Sequence, residues 1–183
     1  MITREQVLWN VHTALGMPRQ EWGLTNADIF HAIEMGAMPL FSKYYPYFTQ
    51  VKITPQDKTP QPGLYKIPIK DYTESPNFVK IDPVNIYRYI EGILDVKLKH
   101  DMSFRTIDDG LHDIFIELCV LYVKYMLYNR YRDLKDGVLN GVNISTDIDE
   151  WSGAEDGIKE WSDGRKTQYY KHRKRIRAQY MFF

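Results

Sequence analysis

The chain has 183 residues, 44% hydrophobic and 26% charged, which suits a soluble globular protein with one core and no second domain. Its 24 basic and 24 acidic side chains cancel, excluding a global field that would draw it to nucleic acid or anionic lipid. The single cysteine, Cys119, excludes an intrachain disulfide and any multi-cysteine metal site.

The opening MITREQVLWN lacks the basic-then-apolar layout of a signal peptide. Thr3 and Gln6 have capping-box spacing, and Val7, Leu8, Val11 and Leu15 recur at helical intervals, so a first helix is predicted up to the stop signals Gly16 and Pro18. A second short helix starts at Thr25 or Asn26, runs through Ile29, Phe30 and Ile33, and is expected to end near Gly36 and Pro39. FSKYYPYF then reads as an aromatic corner in which Pro46 limits any helix.

Strands are expected next. YFTQVKI alternates polar and apolar residues, as does GLYKIPI beyond a turn-rich TPQDKTPQPG, with Pro68 marking an edge position. PNFVKID and VNIYRYIEGILDVKLK follow the same pattern, with Glu91-Gly92 as a bend between two strands. A helix beginning at Pro83 competes with this reading, but Ile86, Arg88 and Ile90 alternate with Tyr87, Tyr89 and Glu91, and Gly92 weakens a helix.

From Thr106 the period is helical again. Thr106 is the expected cap, Asp108 and Asp109 lie early, and Arg130 and Arg132 late, in a helix of roughly 40 Å. Its apolar stretch from Ile114 to Tyr128 surrounds the helix, which predicts burial from several sides, in part by neighbouring chains. Glu117 and Lys124 interrupt that stretch, and it is shorter than the ~20 residues needed to span a bilayer, so no membrane partner is expected. Cys119 within it reads as a buried thiol.

A last helix begins near Ser145 or Asp147. Seven acids and one lysine lie between 147 and 164, then seven Lys or Arg and no acid between 165 and 177. That order complements a helix macrodipole and explains the basic run without any ligand. Gly153, Gly157 and Gly164 make the segment weak alone, so 147–183 is read as a helical arm and tail ordered by assembly.

No phosphate-binding, dinucleotide, zinc-protease or hydrolase motif is present. The group with most chemical potential is His100, Asp101, Asp108, Asp109 and His112, in which Asp108 and His112 share a helix face at a spacing that lets a carboxylate orient an imidazole. The same pattern is ordinary surface composition, and spacing places neither a nucleophile nor a third metal ligand. His12 and His31 read as isolated boundary residues. The chain is therefore read as a non-enzyme without cofactor or metal. Its interface candidates are Arg173, Lys174, Arg175 and Arg177, with the terminal Tyr180, Met181, Phe182 and Phe183 as apolar anchors. Phosphate contact by residues 165–177 is the rival use of this segment, although no nucleic-acid module surrounds it.

The order of these pieces resembles the neck, or head-to-tail joining, proteins of contractile-tailed bacteriophages. A capped helix ending ALGMP leads to a second helix and FSKYYPYF. The strands FTQVKITP and GLYKIPI follow, then DPVNIYRYIEGILDVKLK and a long buried helix. The likeness covers roughly residues 1–130. It implies a virion component assembled in the host cytoplasm as a homo-oligomeric ring or collar. Its partners would be other virion proteins, on the portal or the tail side, with incidental DNA contact. A tail terminator or baseplate subunit has a similar composition and is the nearest alternative. The expected fold is α+β: two N-terminal helices, a small mostly antiparallel sheet and two long C-terminal helices.

Overall fold

The computed structural model describes residues 2–16, 22–60, 62, 65–66, 79–80, 86–88, 92–134, 138–139 and 142–165. The fold is α+β, with every described strand pairing antiparallel.

Helix α1, Arg4–Ala14, starts on a complete capping box: the Thr3 side chain accepts from the Gln6 amide while Gln6 Oε1 accepts from the Thr3 amide at 2.8 Å. It buries Val7 and Val11 and stops where Gly16 adopts φ +76°. Helix α2, Asn26–Ala32, has the same device in Thr25 and Asp28.

The expected stop at Gly36 and Pro39 does not occur. The helix widens into a π turn, Ile33–Ala37, in which the Met38 amide donates to the Ile33 carbonyl, and continues as α3, Met38–Tyr44. Pro39 explains the widening: it has no N–H to donate, and its ring would collide with the carbonyl four residues back in a regular α turn. Half of the anticipated aromatic corner is thus helical, and the chain leaves the helix at Tyr45, just before Pro46.

Strand β1, Tyr47–Ile53, pairs with β5, Gly92–Leu98, from Tyr47 opposite Leu98 to Ile53 opposite Gly92. Val51 and Ile53 point inward, as the alternation requires. Gly92 has φ +139°, a conformation reserved for glycine, which fits a bend there. Strands β2, Tyr65–Lys66, β3, Val79–Lys80, and β4, Ile86–Arg88, form a second sheet in the order β2-β4-β3. The strand reading of Ile86–Arg88 holds against the competing helix, but among the described residues β4 and β5 lie in different sheets. Pro68 and Glu91 lie outside the described residues.

The central element is α4, His112–Tyr131, preceded by a 3₁₀ turn at Asp109–Leu111. Thr106 does not cap it: the first helical turn begins at Asp109 with Asp108 at the cap position, and the Thr106 hydroxyl bonds His100 instead. At twenty residues the helix is ~30 Å long, shorter than expected. Phe115, Leu118, Cys119, Val123 and Leu127 are fully buried in it. The cover comes from the chain's own α1, α2, π turn and final helices. Burial raises the Cys119 thiol well above its ordinary pKa.

After the short pair β6, Val138–Leu139, and β7, Val142–Asn143, helix α5 runs Ser145–Ser152, as its start signals predict. Gly153 interrupts it, and α6 continues over 154–165. Trp151, Ala154 and Trp161 bury this pair against the core. Trp22 meets Trp151 edge-on at 5.0 Å, and its indole N–H donates to Asp147 at 3.2 Å. Among the described residues, no helix is long and apolar enough to cross a membrane.

Candidate functional site

The His100–His112 group folds into a structural joint. His100 is 7% exposed at the end of β5, where its amide donates to Ser42 Oγ at 3.1 Å. Its Nε2 lies 2.6 Å from the Tyr45 carbonyl, which can only accept, so Nε2 carries the proton. Nδ1 then accepts from Thr106 Oγ1 at 2.8 Å. Burial pushes the His100 pKa down, opposed by the Tyr45 bond and by Asp108 and Asp101.

His112 is oriented by a different residue from the one its spacing pointed to. Its Nε2 lies 3.3 Å from the Ile107 carbonyl and 3.5 Å from Asp109 Oδ1, not against Asp108. Asp101 turns back on Ser103, accepting from its amide at 2.9 Å and from its hydroxyl. Phe104, between these histidines, holds φ +60° while fully buried against Phe115. A bulky residue in that region is strained, and the buried ring is what keeps it there. Among the described residues, no three His, Cys, Asp or Glu side chains are placed to hold a metal.

His12 lies 3.1 Å from Asn26 Oδ1, tying α1 to α2. The interface candidates Arg173, Lys174, Arg175, Arg177, Tyr180, Met181, Phe182 and Phe183 lie outside the described residues.

The surface leading up to them is well defined. On α6, Glu155, Asp156, Glu160 and Asp163 are all exposed, and Lys159 of the same helix lies 3.0 Å from Glu155 and 3.2 Å from Asp156. Gly157 brings α6 close to α4: a Cβ there would meet Leu121 Cδ2 at 2.8 Å. One turn on, the Trp161 indole donates to the Ile114 carbonyl at 3.3 Å. Arg165, the last described residue of α6, has its guanidinium 4.1 Å over the Trp161 ring, donating to the Trp161 carbonyl, and 3.6 Å from Glu117 Oε2.

Beside that contact, α1 and α4 leave an open groove of ≈ 550 Å³. Ile116, Val120 and Leu121 give it an apolar floor, Asp113 and Glu117 make one end acidic, and Asn10, Thr13 and Ala14 form the α1 wall. Lys124, at the far end, is engaged by Glu150 at 2.5 Å. Trp9, 62% exposed, lies one helical turn from Thr13 on α1. The groove was not anticipated, yet its α4 side has a sequence signal: Asp113, Glu117, Val120 and Lys124, spaced four, three and four, are a single helical stripe interrupting an otherwise apolar circumference.

Set against family models, curated proteins and solved structures, the chain matches none of them.

Proposed function

We propose that the chain is a structural protein of a tailed-bacteriophage virion, joining head and tail at the neck as one subunit of a ring or collar. The observation that carries the assembly part is a reversal of charge along a single stretch of chain. The exposed side of α6 presents Glu155, Asp156, Glu160 and Asp163. Residues 165–177 then supply seven Lys or Arg and no acid, ahead of Tyr180, Met181, Phe182 and Phe183. An acidic surface on one copy and a basic, aromatic-tipped segment on the next make a heterologous contact, the kind that closes into rings. The neck assignment rests on the resemblance in residue order over residues 1–130.

The test is the solution mass of the full chain beside a chain ending at Gln179, with the particles imaged. Concentration-dependent oligomers or rings that the shortened chain loses support the reading, and two monomers of ordinary mass overturn it. DNA binding that falls steeply with salt, in place of self-association, assigns residues 165–177 to phosphate contact instead.

A further inference from the structure

The groove between α1 and α4 has a shape and charge that match one segment of this same chain. Its floor of Ile116, Val120 and Leu121 accepts apolar side chains, while Asp113 and Glu117 favour cations at one end. The segment after Arg165 offers both in order: Lys166, Lys171, Arg173, Lys174, Arg175 and Arg177, then the apolar tip Tyr180–Phe183. Arg165 already shows the chemistry at the rim, where its guanidinium meets Glu117.

Resting on the assembly reading above, we propose that this groove is the acceptor site for the C-terminal segment, residues 166–183, of a neighbouring copy. Direction favours a neighbour over the chain's own end. Helix α6 runs antiparallel to α4, from Gly157 against Leu121 to Trp161 at the Ile114 carbonyl. The last described turn of α6 therefore points past the Asp113 end of the groove, away from Val120 and Lys124. To fill the groove of its own chain, the segment would have to reverse that direction.

Length permits the crossing. The α4 side of the groove, from residue 113 to 124, measures ~17 Å. Eighteen residues reach up to about 60 Å when extended, so four or five can occupy the groove and the remainder can span to the next subunit. The basic run then passes the acidic rim at Asp113 and Glu117.

Cysteine chemistry tests this cleanly, because Cys119 is fully buried. Chains carrying only Thr13→Cys are mixed with chains carrying only Gln179→Cys and treated with a short bismaleimide. The expected product is a covalent dimer joining the two kinds of chain, and a ladder of larger species from the double variant. A double variant that yields only an internally linked monomer overturns the neighbour assignment, and no link in either experiment overturns the groove itself. Ala14→Arg, an exposed wall position, is expected to weaken self-association about tenfold or more, equivalent to ~1.4 kcal/mol. If the full chain assembles through its tail while Ala14→Arg assembles like the native chain and no link forms, the groove assignment fails and the assembly reading stands. If the full chain and the chain ending at Gln179 are both monomers, the assembly reading fails, and this proposal with it.

Discussion

The ring of Tyr122 occupies the space that any side chain at residue 36 would need. A Cβ built on Gly36 would lie 2.2 Å from Tyr122 Cδ1 and 2.3 Å from Cε1. The π turn of the second helix and the middle of α4 thus meet backbone against ring, and the contact exists only because residue 36 is glycine.

Gly36→Ala is therefore expected to destabilise the protein by roughly 1–3 kcal/mol, the usual cost of overpacking a filled core. Gly157→Ala is the contrast. Its Cβ meets the tip of Leu121, a side chain with freedom to move, while alanine restores about 0.5–1 kcal/mol of helix propensity, so the net change should stay within ~1 kcal/mol. Urea denaturation of both variants checks this. In a double-mutant cycle, Tyr122→Leu should recover part of the loss at Gly36 and none of any change at Gly157.

Asp28 serves two partners with one carboxylate. Oδ2 accepts from the Thr25 amide at 2.9 Å, completing the α2 cap, and Oδ1 accepts from Arg130 at 2.8 Å, linking α2 to the end of α4. The Arg130 hydrogen bond and then the Thr25 bonds lower its pKa from 3.8 to about 2. A depressed carboxyl adds stability that is complete above the unfolded value and is lost as pH falls through the folded one. Asp28→Asn should remove that part of the acid limb between pH 3.8 and about 2. Asp28→Ala should cost about 1 kcal/mol at neutral pH, through the lost reciprocal half of the capping box and the lost Arg130 pair, while Thr25 still caps the helix. NMR titration of Asp28 in Arg130→Met is expected to show its pKa moving back up.

His100 gives the opposite end of the pH scale a handle. Its folded pKa lies below 6.5 because burial penalises the imidazolium. Neutral His100 therefore stabilises the fold above about pH 6.5, and that contribution falls as pH drops through the lowered folded value. The residue links the β5 end to Ser42, Tyr45 and Thr106, so the loosening should be local to β1, β5 and the 101–108 loop. Hydrogen exchange at neutral pH and at about pH 5 should show it there first, and His100→Gln should make those amides less sensitive to pH. Nitrogen NMR of the imidazole should report the proton on Nε2.

Trp22 fastens the chain between α1 and α2 onto the last helices. It is 5% exposed, packs edge-on against Trp151, donates to Asp147, and its carbonyl accepts from the Tyr131 hydroxyl. Trp22→Ala should cost about 3–5 kcal/mol, as truncation of a buried large aromatic does. Trp22→Phe, which keeps a ring and loses the N–H, should cost distinctly less. Thermal unfolding of the two variants separates packing from the hydrogen bond.

Signals written into neighbouring residues were the legible ones. Thr3 with Gln6 announces the start of α1, and Thr25 that of α2. The alternation of YFTQVKI gives β1 its bounds, and Ser145 gives α5 its start. Misreadings arose where a distant partner decides. Pro39 looks like a stop until the backbone widens ahead of it, and Thr106 looks like a cap although the first turn starts two residues later, behind Asp108. The carboxylate beside His112 is Asp109, because the turn before α4 is 3₁₀. The groove depends on α1 and α4 lying side by side, and nothing local to Thr13 or Val120 encodes that neighbourhood.

The π turn also sets an angular phase. An α-helix advances by about 100° per residue, so one surplus residue rotates everything beyond it by that amount relative to everything before. Ile29 and Ala32 precede the turn, Phe41 and Tyr44 follow it, and all four face the same core. Removing Met35, 69% exposed and making none of that core, would take away the surplus residue. Phe41 would then swing roughly a quarter-turn away from Phe115 and His100, so a deletion in the most dispensable-looking residue of the turn would dismantle the aromatic centre of the protein.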